Sequence, residues 1–291
     1  MQARIQNDED ALLKLRDQWQ AAELRAPREQ TTTLACADHP KENEDRALCD
    51  PRLGIAAVFD GMGGEDGGEE AARSACGVFV ERLGDFSVEG ESERETAGKW
   101  LLDIFREADQ AVRVNQRLNY DTRRQATTGI ATKLVGDKVL VSSIGDSRAY
   151  RYSKNDGLER IGHYEAHIPE MREMDIRLDE VNTLEELMAN KELLQRYKHR
   201  NVIDEVLGYT TRGSYVSEYD VSSGDLVFVC TDGIHDNLTG TEIGEIVGHH
   251  AEQGPQAVAN ALVKQARVRS EDEEHVRHKP DDMTVACLLV P

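Results

Sequence analysis

The spacing of apolar residues changes several times along the chain, and each change marks an element. In residues 1 to about 30, Leu12, Leu13, Leu15, Trp19 and Leu24 recur at roughly helical spacing among charged residues, and Pro27 closes the run. This predicts a helical appendage that packs on the main body or meets a partner. Thr31 to Ala37 is strand-like through its β-branched residues. Gly54 to Phe59 is a short apolar run of buried-strand length. It stops at Asp60-Gly61-Met62-Gly63-Gly64, which with Gly67 reads as a loop. Helical spacing then returns over Glu69 to Leu83, through Ala72, Ala75, Cys76, Phe79 and Leu83, and over Glu95 to Arg117, through Leu101, Ile104, Phe105, Ala108 and Val112.

Thr127 to Val135 and Lys138 to Ile144 predict a hairpin about the turn dipeptide Gly136-Asp137. Arg148 to Tyr152 is a further strand. His163 to His199 is polar and helix-prone, so it reads as an inserted flap. Tyr215 to Val221, Leu226 to Thr231 and Met283 to Val290 are strands. Thr241 to His249 and Pro255 to Val268 are helices, and a charged loop fills Ser270 to Lys279. Adjacent strands joined by tight turns, with helices clustered between them, indicate an α+β fold with antiparallel sheets.

Composition narrows the function classes. The 291 residues carry 35 Lys and Arg against 55 Asp and Glu, a net charge of −20. That balance argues against nucleic acid as the partner, because phosphate backbones need a basic face. No apolar stretch approaches the ~20 residues of a membrane span. The charged first ten residues lack the apolar core of a secretory signal. Cys36, Cys49, Cys76, Cys230 and Cys287 are odd in number and form no Cys-x-x-Cys pair. Together these features predict a cytoplasmic protein with buried, reduced thiols and no membrane or nucleic-acid partner.

The acidic residues are not spread evenly. Glu44-Asp45, Asp60-Gly61, Gly145-Asp146, Asp232-Gly233 with Asp236, and Asp281-Asp282 each lie at a strand end or in a Gly-containing turn. Asp-Gly alone is first of all a turn dipeptide. In combination, strand ends can aim several carboxylates into one cleft, where they repel each other unless cations or protons neutralise them. Oxygen ligands of this kind suit Mg²⁺ or Mn²⁺ rather than zinc. The glycine-rich loop is not a P-loop, since no Gly-Lys-Ser/Thr follows it. Neither an EF-hand, a His-Glu-x-x-His helix nor a Gly-x-Ser-x-Gly elbow is present.

Four segments carry a resemblance: Val58 to Gly64, Ile144 to Tyr150, Cys230 to Asp236 and Asp281 to Val285. In this order they resemble the signature of the PPM family, the metal-dependent protein serine/threonine phosphatases of type 2C. Asn43-Glu44-Asp45 resembles the family's first motif, and Met62 after Asp60-Gly61 resembles its bacterial branch. The resemblance spans about Thr31 to Pro291. It implies a four-layer α-β-β-α sandwich of two antiparallel sheets flanked by helices. Residues 1–30 would be a helical extension, and residues 31–291 the phosphatase domain, with a flap insertion at about 160–208.

The resemblance also implies a centre of two Mn²⁺ or Mg²⁺ ions. Asp60 would bridge them, Gly61 would offer its carbonyl, and Asp232 and Asp281 would complete the ligands of one ion. Glu44 and Asp45 would act on the ions directly or through water. Asp146 and Asp236, with Asp232, match the family's third, weaker ion site. The implied reaction is hydrolysis of phosphoserine and phosphothreonine in proteins by a water bridging the ions, opposing a Ser/Thr kinase. Asp60, Asp232 and Asp281 form the catalytic set. The alternative is a pseudophosphatase that binds phosphoproteins or partners without turnover, and a third reading is a small-molecule phosphatase.

The sequence departs from the family pattern at identifiable places. Relatives carry an Arg four residues before the first motif's Glu, where it grips the substrate phosphate; here that residue is Pro40, and Lys41 is the nearest replacement. Asp282 stands where relatives have Asn, and it either adds to metal binding or faces solvent. His163 to His199 lacks the family's short motif after the Gly-Asp-Ser-Arg strand. Met62 occupies the place of the eukaryotic histidine, which leaves His39 and His235 as the histidines nearest the motifs, each weighed against a plain core or surface role.

Overall fold

The computed structural model describes residues 11–18, 21–22, 30–34, 43–63, 67–85, 93–118, 125–162, 169–199, 203, 205–209 and 213–291. Residues 11–18 and 21–22 are helical, and Gln18 donates to Glu81 of the main body. Trp19, Leu24, Pro27, Cys36, His39, Pro40 and Lys41 lie outside the described residues.

One sheet is built from β2 (Arg46–Asp50), β3 (Ile55–Phe59), β6 (Gly129–Val135), β7 (Lys138–Ile144) and β10 (Tyr215–Asp220), in the order β10-β7-β6-β3-β2. The other contains β1 (Thr31–Leu34), β8 (Arg148–Ser153), β9 (Gly157–Ile161), β11 (Leu226–Cys230) and β12 (Met283–Leu289), in the order β1-β12-β11-β8-β9. All neighbours in both sheets are antiparallel. A short pair, β4 (Gly61–Met62) with β5 (Ala126–Thr127), sits beside the first sheet.

Side-chain alternation turns these strands into layers. Ala47, Cys49, Ala56, Val58, Val227, Val229, Ala286 and Leu288 meet between the sheets. From the same strands, Leu48, Ile55, Ala57 and Phe59 face outward onto α1 (Gly68–Arg82) and α2 (Glu93–Leu118). Leu226, Phe228, Cys230, Val285 and Cys287 also face outward. They meet the helices that lie between the fourth and fifth acidic segments. Phe59, Phe79 and Phe105 pack edge to face at centroid distances of 5.1 and 5.2 Å and lock the first helical layer to its sheet. The result is the four-layer α+β sandwich that the motif resemblance implies. Cys49, Cys76, Cys230 and Cys287 are buried and form no disulfide. Among the described residues no helix is long and apolar enough to cross a membrane.

The flap region supplies α3 (Pro169–Asp179), α4 (Leu184–Ala189) and α5 (Lys191–Lys198). Thr183 and Glu186 form a capping box on α4, and Asn190 caps α5. Val181, Leu187 and Leu193 give the flap a small core of its own. After β11 come α6 (Asp232–His235), α7 (Gly240–His250) and α8 (Pro255–Ser270).

Arg277 fastens the flap to this second helical group. Its guanidinium is buried and donates to the carbonyls of Leu178, Asp179, Val181, His235 and Leu238, at 2.5–3.3 Å. Two helix ends are thereby satisfied by one cation, which also complements their dipoles. Arg277→Met keeps the apolar stem and strips the carbonyls of their donors. It is expected to cost about 2 kcal/mol of stability and to speed amide exchange across α3–α5 ahead of the sheets. Uniform exchange, with an unchanged melting temperature, would show that the flap is held elsewhere.

Candidate metal centre

All five acidic segments arrive at one end of the sandwich. Asp45 precedes β2 and Asp60 follows β3; Arg46 and Phe59 are paired in register, so these two carboxylates share an end. Asp146 lies between β7 and β8, and Asp232 opens α6 just after β11. Asp281 and Asp282 lead into β12. Both sheets therefore contribute, and the hydrogen-bonded ladders fix the spacing of the segments.

Local hydrogen bonds aim the side chains. The Asp60 backbone is held by β5: its N–H donates to Thr128 Oγ1 at 3.2 Å, and its carbonyl accepts from the Thr128 N–H and Thr127 Oγ1, each at 2.8 Å. Thr231 Oγ1 donates to Asp45 Oδ2 at 2.8 Å. Close backbone approach is required around this end. A Cβ on Gly61 would strike the Gly68 carbonyl, and one on Gly233 would strike the Asp282 carbonyl. The Glu44 carboxylate rests against Gly68. Asp282 does not face open solvent. It is 7% exposed, and its Oδ2 accepts from the Glu44 N–H at 2.7 Å, pinning the first acidic segment to the last.

The electrostatics are those of a crowded acidic site. Burial, then Asp232, Asp45, Asp281 and Asp146, hold the Asp60 carboxyl well above the usual range. Burial raises Asp45 likewise; Thr284 and Thr231 beside it oppose the shift, and Asp282 and Asp281 add to it. Asp281 is pushed up to about 7 by burial and Asp232, against the pull of Lys279.

On the other side, the Lys279 ammonium reaches Asp232, Asp236 at 3.0 Å and Asp281 at 3.1 Å. Burial works to raise the Asp236 carboxyl, but Lys279 and His235 more than offset it and hold it well below the usual range. His235 is itself buried; burial and Arg148 push it down to about 4, so at neutral pH its ring is uncharged and holds no imidazolium proton to give to a leaving group. His39, the other histidine near the motifs, lies outside the described residues.

Among the described residues, no three His, Cys, Asp or Glu side chains close on one another tightly enough to enclose an ion as they stand. Their chemistry nonetheless fits a divalent cation. The donors are hard carboxylate and carbonyl oxygens. Asp232 Oδ1 is buried and accepts no hydrogen bond among the described residues. The raised carboxyls of Asp45 and Asp60 are those a nearby cation would return to the ionised form.

A family profile described as protein phosphatase 2C matches residues 40–265. The chain belongs to the protein phosphatase 2C family. Its profile match includes the segments of Glu44, Asp60, Asp146 and Asp232 and stops before Asp281, whose place in the site rests on the register of β12. The chain is 24% identical to the serine/threonine phosphatase stp of Listeria monocytogenes over 66% of its length and 71% of that protein. The catalytic domain of the serine/threonine protein phosphatase PstP, crystallised in complex with two manganese ions, has the same fold. It superimposes with a TM-score of 0.65 at 18% identity over 90% of this chain and 97% of that one. PppA of Pseudomonas aeruginosa, a regulatory component of its T6SS, superimposes with a TM-score of 0.65 at 20% identity over 88% and 94% of the two chains.

In this phosphatase 2C chain, the structure brings Asp45, Asp60, Asp146, Asp232, Asp236 and Asp281 to one end of the sandwich, with Gly61 and Glu44 beside them. Lys41, the expected phosphate contact, lies outside the described residues. Lys279 escaped the sequence reading because it sits in a charged loop like any surface lysine. The only signal was its position two residues before Asp281. Thr128 and Thr231 were also missed, since threonines in strands read as strand formers before they read as hydrogen-bond donors.

Proposed function

We propose that this protein phosphatase hydrolyses phosphoserine and phosphothreonine in proteins at the carboxylate end of the sandwich, using Mg²⁺ or Mn²⁺. Asp60 would bridge two ions. Asp232 and Asp281 would complete the ligands of one, Gly61 would contribute its carbonyl, and Glu44 and Asp45 would act on the ions directly or through water. Bound ions would activate water and offset charge on the phosphoryl oxygens. The chain's own residues do the positioning. Thr127 and Thr128 fix the Asp60 backbone, Thr231 orients Asp45, and Asp282 ties the Glu44 segment to Asp281. The observation that carries this reading is the convergence of Asp45, Asp60, Asp146, Asp232 and Asp281 on one end of the sandwich, a crowding that holds the Asp60 carboxyl well above its usual range.

Residues 31–291 form the catalytic domain in this reading, residues 1–30 its helical extension, and about 160–208 the flap that meets the substrate protein. Lys41 takes the phosphate contact that Pro40 cannot make. The substrates are phosphoproteins of a cytoplasmic Ser/Thr kinase. The serine/threonine phosphatases stp and PstP, to which the chain is similar, support the phosphoserine and phosphothreonine specificity. The test is turnover of a phosphothreonine peptide with Mn²⁺ and with EDTA. Metal-dependent release of phosphate is expected. Absence of turnover, with Mn²⁺ still raising the melting temperature, would instead favour a phosphoprotein-binding role without catalysis.

A further inference from the structure

We propose that the Lys279 ammonium is a built-in cation of the centre, standing where the Asp146, Asp232 and Asp236 set would otherwise draw a third metal ion. The inference rests on the reading of the centre as a two-ion site. An ammonium has three hydrogen-bond donors, and here it meets three carboxylates: Asp232, Asp236 at 3.0 Å and Asp281 at 3.1 Å. Asp236 is the telling partner, because it belongs to the third-ion set and not to the ligands assigned to the two main ions.

The lysine is also placed rather than loose. Its side chain is 11% exposed. The buried Asn237 side chain holds its backbone from both sides. Asn237 Nδ2 donates to the Lys279 carbonyl at 2.9 Å, and Asn237 Oδ1 accepts from the Lys279 N–H at 3.1 Å. Asn237 Nδ2 donates as well to the carbonyl of Gly233, within the Asp232 segment, at 2.9 Å. The loop and the acidic turn are thus a single hydrogen-bonded unit, and Pro280 restricts the chain just beyond it. The division of oxygens agrees with this role. Asp232 gives Oδ2 to the ammonium and leaves buried Oδ1 for an ion.

A tethered ammonium cannot be chelated away, and it carries one charge where a metal would carry two. The consequence is a centre whose third positive charge is independent of metal supply. The experiment is calorimetric titration of Mn²⁺ into chelator-treated full-length protein, wild type, Lys279→Met, Lys279→Arg and Asp236→Asn, together with melting of each metal-free form. Wild type and Lys279→Arg are expected to bind two ions. Lys279→Met is expected to bind a third, with its weakest site tightened at least about tenfold by loss of a unit charge a few ångströms away, and to melt lower when metal-free. Asp236→Asn should leave the wild-type stoichiometry unchanged, which keeps the test decisive if Lys279→Met folds poorly. Wild-type stoichiometry and affinity in Lys279→Met, or loss of an ion in Asp236→Asn, would overturn the inference. A wild type that binds no Mn²⁺ would overturn the two-ion reading itself, and this one with it.

Discussion

Asp60→Asn is expected to lower kcat by about 10³-fold or more and, in the absence of metal, to raise the melting temperature. The two effects have one origin. Asp60 is the carboxylate on which the others converge; in the proposed bridging role it would carry several kcal/mol of transition-state stabilisation, and each ~1.36 kcal/mol is a factor of ten. Without ions, the same half-buried carboxyl is crowded by Asp232, Asp45, Asp281 and Asp146 and is held well above its ordinary pKa. An amide of the same shape removes that repulsion. For a chain of this size each kcal/mol relieved is worth roughly 2–4 °C. Steady-state kinetics with Mn²⁺ and calorimetric melting in EDTA measure the two arms separately. Retained turnover would remove Asp60 from the bridging role. A lower metal-free melting temperature would mean that Asp60 is a structural group, not a repelling one.

The response to chelator is expected to depend on pH. Asp45 and Asp60 are held well above the usual range and Asp281 is pushed up to about 7, burial being the largest cause for each. A carboxyl raised in the folded state contributes stability that is fully present below the unfolded value, about 4. That contribution is lost as pH rises through the folded value. Metal-free protein therefore loses this contribution from about pH 4 through 7 and beyond. His235, pushed down to about 4 by burial and Arg148, has the opposite slope, with stability lost as pH falls from about 6.5 to 4. A cation bound beside Asp232 and Asp236 would lower it further, so in the difference between the two forms it adds to the same trend with pH. The gap between melting temperatures in Mn²⁺ and in EDTA should accordingly be small near pH 5 and widen to pH 8. With ion a hundredfold above its Kd, about 2.7 kcal/mol is added, or roughly 5–10 °C at 2–4 °C per kcal/mol. A gap that is constant or that narrows with pH would contradict a metal site built on these carboxylates.

Much of this was legible in the sequence because both sheets are buried on both faces. Gly54 to Phe59 and Leu226 to Thr231 read as unbroken apolar runs because alternate residues enter the inter-sheet core and the outer helical layers. The acidic positions were legible because each sits where such a run breaks off. Three strands escaped, the shortest being β4, whose Gly61 and Met62 sit in a glycine-rich stretch that reads as loop but pair with Thr127 and Ala126. β2 is opened by Arg46, whose Nη1 donates to the carbonyls of Asn43 and Asp45 and whose Nη2 meets Glu69 at 2.6 Å, so a strand residue reads as a surface charge. β9, Gly157-Leu158-Glu159-Arg160-Ile161, is an edge strand with two charged residues and too few apolar ones to show a period. Lys279 and Arg277 escaped for a shared reason. The value of a buried cation lies in what surrounds it, and here, Asp281 aside, the surroundings come from segments some 40 to 100 residues away.

The Arg277 clamp bears on which flap positions are free to change in this chain. Every acceptor it uses is a main-chain carbonyl, on α3 and just beyond it and on α6 and just beyond it. The latch thus reads the path of the backbone and is indifferent to which side chains that backbone carries. Flap surface residues such as Leu184 and Met188, both exposed, can be exchanged for others without releasing the flap from the catalytic body. That one latch is blind to side chains, whereas the pairs of Asp179 with Arg148 and Arg160 and of Glu180 with Thr241 hold the flap by residue identity, so free variation is confined to exposed flap positions outside them.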